Sequence, residues 1–273
     1  IRSRLGYPHR QDAYTQPWRI KEAPERDLVT LRYRIDARIQ TQEVFLAMER
    51  PEKAAISWNG QVLPRPEDRE EEGYFVDSFI RKVRLPGLRA GINELVLEIP
   101  YGRKTNLENI FLLGDFGVEV RGTSAAVIEK PERLYFGDIA TQGMPFYGGS
   151  LVYIMEFTLR EEEAVCIRVP HFKAPVLGVR LDGEDAGRIA FAPHVLSLGV
   201  CKAGVHRLEI RAYGNRFNSF GTLHNSNDEY QWYGPDSYRT GGYEWSEYWM
   251  LRPFGVMSRV EVCKEFLSGQ EGV

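Results

Sequence analysis

Val29-Thr30-Leu31-Arg32-Tyr33-Arg34-Ile35-Asp36-Ala37-Arg38 sets apolar and polar residues in strict alternation. Successive side chains of a strand point to opposite faces, so this stretch lays Val29, Leu31, Tyr33, Ile35 and Ala37 on a core and their neighbours in water. One wetted face belongs to an antiparallel sheet, because a strand buried on both faces reads as a continuous apolar run. The same period of two returns at Leu95, Leu97 and Ile99, at Leu151, Tyr153, Met155 and Phe157, at Val165, Ile167 and Val169, and at Leu208, Ile210 and Ala212. Turn dipeptides separate these runs: Asn59-Gly60, Pro86-Gly87, Ala90-Gly91, Gly148-Gly149, Asp182-Gly183 and Ala203-Gly204. No segment carries a long amphipathic helical pattern. Many short strands between glycine turns predict an all-β chain of antiparallel sandwiches.

The 273 residues suggest about two domains of ordinary size, unless one large sandwich uses them all. With 43% apolar residues and mixed charge, the chain has the composition of a folded protein. Thirty-five basic against 38 acidic residues leave a net charge of -3, which argues against a general nucleic-acid or anionic-membrane partner, since those need clustered excess Lys and Arg. No apolar run approaches the ~20 residues of a membrane-spanning helix. The sequence begins at Ile1, and its polar, basic opening lacks the apolar stretch of a signal peptide; the expectation is a fragment or processed product. Cys166, Cys201 and Cys263 are too few for a disulfide scaffold. Cys166 and Cys263 both fall on the polar phase of their strands, so either a bridge joins them or, the favoured reading, all three remain thiols.

An internal repeat divides the chain. Ile56-Ser57-Trp58-Asn59-Gly60-Gln61 matches Val179-Arg180-Leu181-Asp182-Gly183-Glu184, and Ala90-Gly91-Ile92-Asn93-Glu94-Leu95 matches Ala203-Gly204-Val205-His206-Arg207-Leu208. In each copy a strand enters a tight Asn-Gly or Asp-Gly turn, and a later Ala-Gly launches a strongly alternating strand. The boundary is expected in the charged, proline-bearing stretch from Val127 to Arg133, giving domains 1–130 and 131–273.

These residues carry a family resemblance. Trp58-Asn59-Gly60, Asp77 before a strand, and Gly91-Ile92-Asn93-Glu94-Leu95-Val96-Leu97 resemble the galactose-binding-like jelly roll that serves as the sugar-binding domain of family 2 glycoside hydrolases. Leu181-Asp182-Gly183 and Gly204-Val205-His206-Arg207-Leu208 look similar, with Asp182 and His206 where the family often has Asn. Gln142 to Gly149, Asn218 to Asn225 and Trp249 to Gly255 resemble the C-terminal region of large bacterial rhamnosidase-like enzymes. The resemblance implies two tandem jelly rolls, and nothing in the chain is similar to the catalytic barrel of such enzymes. It implies a non-catalytic accessory region that supports a catalytic domain of the same parent chain, with carbohydrate as the ligand class. It implies a bacterial origin and leaves cytoplasmic and secreted locations open.

Tyr213 to Phe254 is the most unusual stretch, dense in aromatic residues interleaved with Asn, Asp and Glu. Saccharides offer apolar C–H faces flanked by hydroxyls, so a site for them needs rings beside amides and carboxylates. Asn218, His224 and Asn225 are the hydrogen-bonding candidates here, and Trp232, Trp245 and Trp249 the stacking candidates. The bland reading, which carries somewhat more weight, is a loop whose rings fill a small core or an interface. Gln142 and Tyr147 in the loop 142–149 are the second candidates, against the alternative that its rings plug the end of the second sandwich.

Glycoside hydrolysis needs two carboxyl groups about 5 to 9 Å apart. Glu244 and Glu247, set among Tyr243, Trp245 and Tyr248, are the pair to test, although 38 acidic residues supply such pairs by chance. The five histidines show no His-Glu-x-x-His spacing and the cysteines no Cys-x-x-Cys, so no metal site is expected. Some jelly rolls of this type hold a structural Ca2+, but no Asp-rich ligand loop stands out, and no cofactor is expected. The rival reading is a structural or protein-interaction module with no glycan site.

Overall fold

The structure is a computed structural model that describes residues 1–7, 24–64, 72–105, 107–227, 229, 234, 237–238 and 241–264. It divides into two compact units, Ile1–Lys130 with Gly234–Asp236, and Pro131–Tyr233 with Ser237–Val273. Among the described residues the only α-helix is a single turn, and no helix is long and apolar enough to cross a membrane. The chain is all-β.

The first unit contains β1 (Asp27–Ala37), β2 (Val44–Glu49), β3 (Ala55–Trp58), β4 (Gln61–Val62), β5 (Tyr74–Phe75), β6 (Asp77–Leu85), β7 (Gly91–Tyr101), β8 (Phe111–Gly114), β9 (Gly117–Arg121) and β10 (Ser124–Ile128). One sheet runs β4-β3-β7-β1-β10-β9 and another β5-β6-β2-β8. The alternation at Val29 is the eleven-pair antiparallel ladder of β1 with β7, from Asp27↔Tyr101 to Ala37↔Gly91. On its other side β1 departs from the antiparallel expectation, because it pairs in parallel with β10 at Asp36↔Ala126 and Ala37↔Val127. Leu46 and Val83 from one sheet and Trp58, Leu95 and Leu97 from the other share one core. Each large apolar side chain removed from water there contributes about 1.5–3 kcal/mol. Trp58 keeps its polar edge satisfied, its Nε1 donating to the Gly87 carbonyl at 2.8 Å.

The second unit contains β11 (Leu151–Leu159), β12 (Glu163–Arg168), β13 (Phe172–Lys173), β14 (Leu177–Leu181), β15 (Glu184–Ile189), β16 (Val195–Cys201), β17 (Gly204–Ala212), α1 (Phe217–Phe220), β18 (Gly255–Val256) and β19 (Glu261–Lys264). Its sheets run β11-β17-β14-β15, β16-β12-β19 and β13-β18. Ile167 from the second, Val256 from the third and Val179, Leu208 and Ile210 from the first meet in one core.

The repeat seen in the sequence is a repeat of sheet geometry. Strands β1, β7, β3 and β4 are neighbours in the first unit in the order that β11, β17, β14 and β15 follow in the second. Asn59 and Gly60 join β3 to β4 at φ 51° and 82°, and Asp182 and Gly183 join β14 to β15 at φ 51° and 89°. These are the positive angles of a two-residue hairpin turn, which Asn, Asp and Gly tolerate at least cost. Each turn is then tied to the neighbouring strand in the same way. Asn59 Oδ1 accepts from the Glu94 amide at 2.9 Å, and Asp182 Oδ1 from the Arg207 amide at 2.8 Å. Asn59 Nδ2 donates to Asn93 Oδ1 at 3.0 Å, and the buried Asn93 donates to the Arg89 carbonyl at 2.8 Å. In the second unit His206 takes both jobs. Its Nδ1 lies 2.7 Å from Asp182 Oδ2 and its Nε2 2.8 Å from the Lys202 carbonyl. Both partners only accept, so the geometry favours a proton on both ring nitrogens and raises the His206 pKa above its ordinary value.

Candidate functional site

The candidate residues lie in the second unit, on loops that start at one end of the β11 and β17 pair. That ladder ends at Leu151↔Ala212. Just beyond it, Gly214 packs its backbone on the Gly148 and Gly149 backbone; a Cβ on Gly214 would run into both carbonyl oxygens. Glycine is thus required at 214, a packing role that the turn signals of the sequence do not show. The loop then enters α1, where Asn215 Oδ1 accepts from the Phe217 amide at 3.0 Å, and Ser219 Oγ donates to the Phe146 carbonyl at 2.9 Å.

The amides nominated as sugar contacts are engaged with backbone. Asn218 is buried and clamps Arg252, its Nδ2 donating to the carbonyl at 2.8 Å and its Oδ1 accepting from the amide at 2.9 Å. The Arg252 guanidinium lies over the Phe217 ring at 3.9 Å. Asn225, also buried, donates to the Ser237 carbonyl at 2.6 Å and accepts from the Asn227 amide at 2.8 Å. Gln142 accepts from the Tyr135 amide at 2.8 Å and donates to the Tyr135 and Asp138 carbonyls. Such bonds satisfy the peptide groups of a segment whose described residues pair only at the isolated bridge Asn225↔Trp245.

The rings form one cluster. His224 lies near-parallel to Trp245 at 6.0 Å between centroids and tilted against Trp249 at 4.9 Å; Phe146 meets Trp249 edge-on at 5.3 Å. His224 Nδ1 is 3.0 Å from the Ser246 carbonyl, which fixes a proton on that nitrogen. Trp249 Nε1 is buried with no acceptor among the described residues. Tyr147 donates weakly to the Ser150 carbonyl at 3.3 Å and is 40% exposed. Tyr243 is 94% and Tyr248 61% exposed. Trp232 lies outside the described residues.

The two carboxylates of the Glu244 and Glu247 pair have different surroundings. Glu244 is buried and accepts from Asn227 Nδ2 at 3.0 Å, its backbone bonded to Ser226, whereas Glu247 is exposed. Among the described residues no group of three or more His, Cys, Asp or Glu side chains converges as a metal site would require.

No family model and no curated protein sequence matches the chain. Among solved structures, a rhamnosidase from Novosphingobium sp. is similar with a TM-score of 0.34 and 16% identity, covering 86% of this chain and 22% of that one. A GH2 β-galacturonidase from Eisenbergiella tayi, bound to glycerol, is similar with a TM-score of 0.28 and 25% identity, covering 55% of this chain and 22% of that one. The chain thus spans about a fifth of the length of either glycoside hydrolase.

A groove that the sequence did not signal lies elsewhere on the second unit. Its volume is about 790 Å3, and it runs along the outermost strands β11 and β19 of their sheets, with Tyr135, Phe136, Tyr153, Glu156, Arg259 and Glu261 on its walls. Phe136 stacks on Tyr153 at 5.4 Å, and Tyr135 is 68% exposed. Burial holds the Tyr153 phenol above its ordinary pKa, opposed by the Val256 amide that donates to its oxygen. Tyr135 and Phe136 follow the charged stretch that reads as a linker, and Arg259 and Glu261 on the groove's walls are more than a hundred residues away along the chain.

Proposed function

We propose that the chain is the non-catalytic accessory region of a larger glycoside hydrolase, built as two tandem galactose-binding-like jelly rolls. In this reading the aromatic loop docks on the catalytic domain of the same parent chain. The observation that carries it is the division of labour within the loop: Asn218 and Asn225 bind the loop's own backbone, as Gln142 binds that of Tyr135 and Asp138, while Tyr243, Tyr248 and Tyr147 face solvent. A loop already fastened by its amides loses little freedom on binding, and exposed rings gain from burial against a partner. The test is association of the separately expressed catalytic domain with this chain. Tyr243→Ala with Tyr248→Ala is expected to weaken it at least tenfold, and unchanged association refutes the docking role. The isolated chain is expected to leave nitrophenyl glycosides intact; turnover that disappears in Glu244→Gln or Glu247→Gln overturns the non-catalytic reading.

A second reading, carbohydrate contact, is favoured by the groove beside Tyr135 and Phe136, which puts ring faces next to carboxylates and a guanidinium. Few stacked rings give micromolar-to-millimolar affinity. Calorimetric titration with neutral and uronic oligosaccharides separates the two places. Loss of binding in Tyr135→Ala or Phe136→Ala assigns the groove, loss in His224→Ala or Trp249→Ala assigns the loop, and no heat from any glycan removes this reading.

A further inference from the structure

Cys166 and Cys263 stand directly opposite each other on β12 and β19, within four consecutive antiparallel pairs from Val165↔Lys264 to Arg168↔Glu261. Directly opposed residues share a face, with Cβ atoms about 4.5–5.5 Å apart. A disulfide spans about 3.5–4.5 Å between Cβ atoms, so a small approach of the two strands brings the pair into range. The sulfurs already lean across the ladder: Cys263 Sγ is 3.4 Å from the Cys166 carbonyl oxygen and Cys166 Sγ 4.0 Å from that of Lys264. Ion pairs flank the two cysteines across the ladder, Lys264 to Glu163 at 2.7 Å and Arg168 to Glu261 at 3.6 Å.

We propose that Cys166 and Cys263 are a redox-modification site, at which thiol–disulfide exchange with a small-molecule disulfide of the glutathione class fastens β19 to β12. Cys263, the more accessible of the two, attacks as thiolate, forming a mixed disulfide and releasing one glutathione thiol. The Cys166 thiolate then attacks Cys263 Sγ, the protein disulfide forms, and the second glutathione thiol leaves. Two electrons and two protons pass from the cysteine pair to the oxidant. The bridge closes a span of 97 positions that contains the whole aromatic loop. Cys201 stays outside the exchange, because on β16 it stands opposite Glu163 rather than a cysteine, and burial and the nearby Asp182 carboxylate both hold its thiol above the ordinary range.

The test incubates the full chain with glutathione disulfide, denatures it in acid, alkylates it and maps the peptides by mass. Alkylatable thiols are expected to fall from three to one, with a Cys166–Cys263 linked peptide, no retained glutathione and full reversal by dithiothreitol. Cys166→Ser is expected to trap glutathione on Cys263, and Cys263→Ser to leave Cys166 alkylatable. Three alkylatable thiols in the wild-type chain, a glutathione adduct that persists on it, or a link through Cys201 overturns the proposal.

Discussion

Replacing Asp182 by Asn gives the second unit the turn chemistry of the first and is expected to remove a pH-dependent part of its stability. His206 is the less exposed partner, its side chain 12% exposed, whereas the Asp182 side chain is 48% exposed. The Lys202 carbonyl and then the Asp182 carboxylate hold the imidazolium, which raises the His206 pKa above its ordinary 6.5. His206 and then the Arg207 amide hold the carboxylate, which lowers Asp182 below its ordinary 3.8. A group with a raised folded pKa stabilises fully below its unfolded value and loses that contribution as pH rises through the folded one; a lowered carboxylate does the reverse. The latch is therefore complete between pH 3.8 and 6.5 and is lost above, as His206 deprotonates.

A charge-assisted hydrogen bond contributes about 1.5–3 kcal/mol, and the exposure of Asp182 screens this toward about 1 kcal/mol. That corresponds to about 3 °C in the melting of a domain of this size. Asp182→Asn is thus expected to destabilise by about 1 kcal/mol near pH 5.5 and by less near pH 8.5, where the deprotonated imidazole accepts from the new amide as Asn93 accepts from Asn59. Hydrogen exchange across β17 reports this locally, and thermal melts report it globally. An equal wild-type-minus-variant difference at the two pH values, or a ring-nitrogen NMR titration showing His206 neutral at pH 6, refutes the reasoning.

Trp58→Ala is expected to cost about 3–5 kcal/mol by opening a cavity in the first core and orphaning the Gly87 carbonyl, read by denaturant unfolding. Gly183→Ala forces a Cβ onto φ 89° and is expected to cost about 1–2 kcal/mol, with Gly60→Ala at φ 82° as the matching test in the other copy. Asn218→Ala leaves the Arg252 amide and carbonyl without their clamp, at about 1–3 kcal/mol. Limited proteolysis should then cut near Arg252 well before the sheets unfold.

The strands that face water on one side were legible, because alternation is a local signal. Val29 to Ala37 and Leu151 to Phe157 name their strands outright. Strand β2 was not, since Val44, Leu46, Ala47 and Met48 are all buried and the run has no period. The parallel partnership of β1 with β10 joins residues about ninety positions apart, and no local pattern announces it. The Asn-Gly and Asp-Gly turns could be read because positive φ restricts the residues that fit. At the candidate site, composition indicated rings and amides in one segment but could not say which way each amide turns. Asn218 and Asn225 turn inward because a segment whose described residues share only one isolated bridge must find other partners for its peptide groups. The groove at Tyr135 was invisible because its walls meet only through the fold.

The backbone contact of Gly214 with Gly148 and Gly149 gives the aromatic loop a waist. Chain leaves the sheet there through a point with no room for a side chain on Gly214, which holds the start of the loop against the end of the β11 and β17 ladder. A segment fastened at its base in this way can be exchanged as a cassette. Keeping the three glycines together with Asn218 and Ser219, which tie the loop to Arg252 and Phe146, while rewriting the rest of residues 216 to 250 would let one scaffold present different surfaces, whereas a single methyl group at position 214 would meet the Gly148 and Gly149 carbonyls.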